Sequence, residues 1–169
     1  MANLDLFTQL ETLILSGNYI SEISAASFAC NPKLRYLSLS KNKLTMVRHL
    51  SHLLELQALD LSGNLLETAD LGEYPPNLLS LKLKDNPIEQ AAAESGKLSL
   101  YRKPFVLHLK QLEQMDKIEV VAAERMSYEG TLPRRINIDE MLRLKIKNDN
   151  VRQQVLKMES EVRVEIKRD

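Results

Sequence analysis

Three histidines, one cysteine and a scatter of carboxylates are the side chains with the most obvious chemistry in this 169-residue chain. His49 and His52 stand three residues apart, a spacing that can bring two imidazoles together, but the Glu of a zinc-protease motif is missing. The expectation is a structural surface pair rather than a metal site. His108 is expected on a helix, partly exposed. Cys30 follows Phe28-Ala29 and has no second cysteine, so no internal disulfide can form, which suits a reducing compartment; a buried, inert thiol is expected. There is no Gly-rich phosphate loop, no G-x-S-x-G and no C-x-x-C, and the carboxylates form no acid–base constellation. No catalytic residue, cofactor site or metal site is therefore expected, and the chain reads as a non-enzyme.

Bulk composition agrees. Lys+Arg and Asp+Glu are both 23, and apolar residues make up 44% of the chain, enough to bury a core. Residues 1–100 hold 8 basic and 11 acidic side chains and residues 101–169 hold 15 and 12, so the halves carry about −3 and +3. That imbalance is too mild for a membrane surface or a nucleic acid. The sequence shows no basic-then-apolar leader and no run of 18 apolar residues. Leucine is the outlier, with 24 of its 31 copies in the first 100 residues.

Those leucines repeat. LETLILSGNYI places Leu10, Leu13, Leu15, Asn18 and Ile20 in the frame L-x-x-L-x-L-x-x-N-x-L. LRYLSLSKNKL, LQALDLSGNLL and LLSLKLKDNPI repeat the frame, with Asn42, Asn64 and Asn86 at spacings of 24, 22 and 22 residues. A coil that returns on itself about every 22 residues stacks its short strand on the previous one at about 4.8 Å, giving a parallel sheet. The L-x-L alternation sends leucines inward, and each Asn can satisfy backbone groups at the bend that follows. Val47, Leu50 and Leu53 step by three, which predicts a short convex helix or 3₁₀ turn on which His49 and His52 sit; Ile23 and Phe28 serve the first coil, which Asn31-Pro32 closes. The third coil, with Ala69, Leu71 and Tyr74-Pro75-Pro76, predicts an irregular convex side.

These residues resemble the leucine-rich-repeat family over roughly Leu10 to Glu89, and the 22-residue coils resemble its short intracellular class, which includes phosphatase regulators and axonemal dynein light chains. The resemblance implies an α/β solenoid, with a parallel sheet on the concave face and helical or 3₁₀ turns on the convex face. The organisation reads as repeats over 1–90, a C-terminal cap over 91–130 and an amphipathic, coiled-coil-like helix over 131–169. Tyr101-Arg102, the apolar helix through Val106, Leu109 and Leu112, Met115-Asp116 and Glu124-Arg125 resemble the cap of intracellular leucine-rich repeats; Lys117 stands where glycine is usual. Ala91 to Lys97 predicts a flexible loop. At the other end only Met1 to Gln9 precede the first strand, with Leu4, Leu6 and Phe7 as remnants of an earlier coil. That end should be an open sheet edge, covered by a partner or by upstream chain.

Two surfaces are left for binding. The concave face should show Ile14, Tyr36, Ser38, Ala58, Asp60, Lys82 and Lys84, with Tyr36 and Ile14 as an apolar patch and the two lysines as a positive edge. The tail carries a heptad frame, with Met141, Asn148, Val155 and Val162 at a and Leu144, Val151, Met158 and Glu165 at d, six of the eight apolar, suited to pairing with a partner helix or to folding back. Partners are expected to be other proteins, in a hetero-oligomeric complex; a membrane is not expected and nucleic acid is disfavoured. The short array, the cap, the charged helix and the run NLLETADLGEYPPNLLSLKLKDNP look most like ciliary leucine-rich-repeat proteins of radial spokes and dynein arms. The implied role is an adaptor or structural subunit in the cytoplasm, at the cilium or flagellum axoneme. A phosphatase-regulatory subunit and a scaffold in an RNA-processing complex are the alternatives.

Overall fold

Leu13, Leu37, Leu59 and Leu81 each sit at the centre of a three-residue strand and point to one side of a common sheet. The strands are β1 (Thr12–Ile14), β2 (Tyr36–Ser38), β3 (Ala58–Asp60) and β4 (Ser80–Lys82), paired in parallel with these leucines in register. In this computed structural model, which describes residues 4–94 and 98–129, β5 (Gln114–Met115) adds a fifth parallel strand. A sixth, β6 (Ile118–Glu119), then turns back antiparallel and completes the order β1-β2-β3-β4-β5-β6. Three helices follow the fourth coil: α1 (Pro87–Glu94), α2 (Leu98–His108) and α3 (Ala122–Glu129).

Burial follows the pattern. Leu34, Leu37, Leu39, Leu44, Leu56, Leu59, Leu61, Leu66, Leu78, Leu81 and Leu83 are all within 1% of fully buried and form one continuous core with the convex Val47, Leu50 and Leu53. Each coil supplies half of the apolar surface its neighbour hides, so the core runs along the stack.

The bend after each strand has a fixed chemistry. Gly17, Lys41, Gly63 and Asp85, the residues just before the four asparagines, all lie at positive φ, between 54° and 71°. This left-handed step aims the next side chain, the Asn, back into the stack. The Asn64 Nδ2 donates to the carbonyls of Leu39 (2.9 Å) and Leu61 (2.9 Å), while its Oδ1 accepts the Leu44 N–H at 3.1 Å. Asn42 and Asn86 repeat the set, one coil earlier and one later. Asn18 is exposed and donates only within its own coil, to Leu15 and Ser16.

On the convex side the turn alternative holds rather than the helix. Residues 43–57 make turns and no helix, because backbone bonds such as Leu53 N–H to Leu50 and Leu56 N–H to Leu53 fold the segment in single steps. Steps of three are satisfied equally well by successive turns that bury the same side chains. The third coil, expected to be irregular, carries the 3₁₀ turn at Leu71–Glu73, started by the Asp70 carboxylate accepting the Gly72 N–H. Ala91–Glu94, expected as loop, are the end of α1: Pro87 opens the helix and three alanines favour it. Helix α2 begins three residues before Tyr101.

At the N-terminal end a 3₁₀ turn, Leu4–Leu6, stands where remnants of a coil were expected. It is held by Asn31, whose Nδ2 donates to the Leu4 and Phe7 carbonyls at 3.0 and 2.9 Å. Leu4 packs on the core, while Leu6 and Phe7 are exposed. The heptad positions Met141, Leu144, Asn148, Val151, Val155, Met158 and Val162 lie outside the described residues.

Candidate protein-binding face

Strand register sets the rows of the concave face. One row runs Thr12, Tyr36, Ala58, Ser80, Gln114; the next runs Ile14, Ser38, Asp60, Lys82. All seven residues predicted for this face lie on it or at its exit, but they are not equally accessible. Tyr36, Ser38 and Ala58 are buried, Ile14, Asp60 and Lys82 are half-buried, and Lys84 is exposed. The expected Tyr36 anchor is thus a residue with only 8% of its surface open to solvent.

The polar groups of this face bind one another. Ser16 Oγ lies 2.7 Å from Ser38 Oγ, and Ser40 donates to Ser16 at 3.0 Å. Asp60 accepts from the backbone and hydroxyl of Ser62 (3.0 and 2.6 Å) and pairs with Lys82 Nζ at 3.6 Å. The result is a flat strip of hydroxyls with Ile14 near one end and lysines at the other.

The cap is built by four residues of opposite charge and reach. The Arg102 guanidinium, 9% exposed, makes a two-point pair with Glu124 (2.9 and 3.1 Å) and donates to the carbonyls of Met115 (3.0 Å) and Glu119 (3.3 Å). It therefore ties α2, α3 and the β5–β6 hairpin together. Burial alone would lower its pKa, but the Glu124 carboxylate outweighs that and the value is raised. Arg125 donates to the carbonyls of Val106, Leu109 and Leu112, the last at 3.0 Å. These groups lie at and beyond the end of α2, where helix carbonyls lack partners and positive charge is favoured. Tyr128 donates to Glu124 at 3.0 Å and completes the cluster.

The turn between β5 and β6 is a two-residue link, Asp116-Lys117, with φ of 51° and 67°. That geometry favours Asn-Gly or Asp-Gly. Asp116 is held there because its carboxylate accepts the Leu83 and Lys84 N–H groups (2.6 and 2.9 Å) and the Tyr101 hydroxyl (3.0 Å). Lys117 gains nothing comparable from its own side chain. Lys117→Gly should therefore raise stability by about 1 kcal/mol, read as a higher urea midpoint at unchanged slope.

Two aromatic residues had no signal beyond their type. Tyr74, read only as part of an extended Pro-rich entry, is 2% exposed and meets Phe105 edge-on at 5.5 Å; Phe105 in turn meets Tyr101 at 6.0 Å. Phe105 is one turn before Leu109 on α2, so helical spacing could have revealed it. Burial pushes the Tyr74 hydroxyl well above its usual value near 10; burial first, then the Asp116 charge and hydrogen bond, do the same for Tyr101. Groups with raised folded-state values leave stability intact below about pH 10, where both states are protonated. Above that, only the unfolded chain ionises freely, so stability should fall steadily. Urea melts at pH 8 and 11 test this, and an unchanged midpoint would contradict it.

The remaining chemical candidates are structural or solvent-facing. His52 Nε2 lies 3.3 Å from the Phe28 carbonyl, and the His49 backbone N–H donates to Glu73 at 2.6 Å. His108 is exposed. Cys30, expected to be buried, is exposed: Phe28 turns inward at 1% exposure and the following turn faces Cys30 outward. Among the described residues no group of three or more His, Cys, Asp or Glu could hold a metal, and no helix is long and apolar enough to cross a membrane.

Residues 8–66 match the leucine rich repeat family. No curated protein matches the chain. Among solved structures it is similar to a chain of the Drosophila melanogaster SNF/U2A' complex, at 23% identity and a TM-score of 0.49, covering 70% of this chain and 79% of that one. The family match and the ladder of parallel strands make the fold a leucine-rich-repeat solenoid, an architecture suited to protein–protein interaction.

Proposed function

We propose that the chain is a non-catalytic protein-interaction subunit that seats one protein on its concave face within a larger assembly. The observation that carries this reading is the face itself: its parallel strands present two side-chain rows in which serine, aspartate and lysine groups are already paired with each other or with a neighbour. A partner meeting it need displace little and gains from shape. The accessible specificity points are Ile14, Asp60, Lys82 and Lys84, rather than Tyr36. The assembly we favour is axonemal, of the radial-spoke or dynein-associated kind, in the cytoplasm of a cilium or flagellum; its support is the resemblance of the repeats, cap and charged tail to ciliary relatives. The heptad tail would anchor the subunit by helix pairing. A phosphatase-regulatory role fits less well, because Asp60 is tied to Ser62 and Lys82 and offers little free acidity.

Ile14→Glu with Lys84→Glu tests the face. Both side chains are accessible, so the fold should melt normally, while capture of the partner should weaken by at least about tenfold. Tagged chain from ciliated cells should retain radial-spoke or dynein subunits, identified by mass spectrometry. Phosphatase or spliceosomal subunits instead, or partner capture unchanged in the double variant, would overturn the reading.

A further inference from the structure

A ridge of lysines crosses the concave face where the chain leaves the sheet. Lys41 follows β2, Lys82 ends β4, Lys84 comes two residues later, and Lys117 sits in the β5–β6 turn. Backbone bonds set them in sequence across the stack. The Lys41 N–H donates to the Ser62 carbonyl, the Gly63 N–H to the Lys84 carbonyl, and the Asp116 carboxylate accepts the Lys84 N–H. With neighbouring strands about 4.8 Å apart, the backbones of Lys41 and Lys84 are about 10 Å apart, and Lys117 is about one strand further. Gly63 shortens the first gap. A Cβ there would stand 3.3 Å from the Lys41 Cγ, so the lysine stem lies across the glycine, on the side of Lys84.

Two observations set these lysines apart from ordinary solvated charge. Lys41 and Lys117 hold φ of 54° and 67°, the conformation that glycine takes at Gly17 and Gly63 and that a lysine keeps only under strain. Such strain marks positions where something other than stability is served. Moreover, Lys41, Lys84 and Lys117 are exposed and, among the described residues, make no ion pair. The nearby acids do not answer them. Asp60 pairs with Lys82, Asp116 turns its carboxylate onto two backbone N–H groups and the Tyr101 hydroxyl, and Asp85, exposed, follows Lys84 without pairing with it.

We propose that this ridge is the subsite of the concave face that selects an acidic partner segment, one with aspartate or glutamate at every second residue of an extended stretch. Such carboxylates recur about every 7 Å, which suits the shortened spacing of Lys41, Lys84 and Lys117. This rests on the concave face being the docking surface, and adds the chemistry of what docks there. Charge complementarity selects the occupant. Residues 130–169 hold 10 basic and 7 acidic side chains, so the chain's own remainder is not the complement, and a second copy has no net charge to offer. Asp60 and Asp85 interrupt the ridge, which suits discrete carboxylates rather than a continuous phosphate backbone. The ridge spans the exits of β2 to β5, so what borders β1 does not bear on it.

The test titrates the full chain with a blocked peptide of four Glu-Ala repeats and follows amide and lysine side-chain shifts by NMR. Lys41→Gly with Lys84→Gln should weaken binding at least about fivefold at about 0.15 M salt, while Lys33→Gln with Lys110→Gln, which removes the same charge elsewhere, should change it less than about twofold. Lys41→Gly alone should raise the urea midpoint and still weaken the peptide, a split that a merely structural lysine would not show. No binding at about 1 mM peptide, or equal losses in the two double variants, overturns the proposal. So does tighter binding of a single-stranded RNA oligonucleotide than of the peptide, or self-association that the ridge variant dissolves. Ile14→Ser, neutral and on β1, should leave peptide binding unchanged; it tests the concave-face reading alone, through capture of the partner, so the two can fail separately.

Discussion

Arg102→Met should cost the fold about 3–5 kcal/mol, the range for breaking one side of a buried ion pair. The aliphatic stem survives, so packing changes little. What is lost is the partner of Glu124, itself only 19% exposed at its side chain, together with the donors to the Met115 and Glu119 carbonyls. Tyr128 still donates to Glu124, but a neutral hydroxyl cannot balance the charge. Because Arg102 touches α3 and both strands of the hairpin, the cap should loosen first. The check is chemical denaturation with exchange read by region: amides of 114–129 should lose protection before those of β2 and β3. Arg102→Lys should recover only part of the loss, since an ammonium cannot span two carboxylate oxygens and two carbonyls in one plane. A methionine variant within 1 kcal/mol of the parent would show that the cluster is dispensable.

Asn64→Ala should lose about 2–3 kcal/mol, and Asn18→Ala less than about 1 kcal/mol, although both occupy the same position of the repeat. The difference is one of connectivity. Asn64 serves two backbone carbonyls and one N–H in two successive coils, all in a site that is 4% exposed. Its removal leaves the Leu44 N–H bare where water does not reach, at about 1–3 kcal/mol, while the Leu39 and Leu61 carbonyls each drop from two asparagine donors to one, keeping Asn42 and Asn86. Asn18 serves only its own coil in the open. Urea melts of the two variants, side by side, measure the contrast, and equal losses would mean that the ladder stabilises each bend alone rather than joining neighbours.

The residues that spell the repeat are those with one possible place. A leucine at every second strand position must face the core, and an Asn three residues after the last such leucine has backbone groups to satisfy whichever coil it is in. Tyr101, Arg102, Glu124 and Arg125 were legible only through their resemblance to a known cap; their geometry supplies the physical reason, a buried guanidinium paired with a carboxylate and two carbonyls. The convex side was not legible. Val47, Leu50 and Leu53 must be buried, but turns and a helix bury them equally, and single bonds such as Leu53 to Leu50 decide between the two. Cys30 was misplaced because one step in a turn reverses which way a side chain points. Tyr36 was assigned to the right face and the wrong exposure, since alternation along a strand fixes which face a side chain takes but not how much of it is covered. The Tyr74–Phe105 contact joins two segments that no local pattern links.

Among the described residues the two ends of the stack are unequal: β6 and α3 lock one, while β1 rests on a single neighbour. A tensile load along the polypeptide would therefore peel the solenoid in a set sequence, the Leu4–Ile20 winding first and the arginine-clamped terminus last. Cooperativity would rise as unravelling advanced, because each successive winding is gripped by a fuller set of asparagine links. A subunit tethered through residues beyond α3 would carry strain at its sturdiest point, sparing the winding that yields most easily.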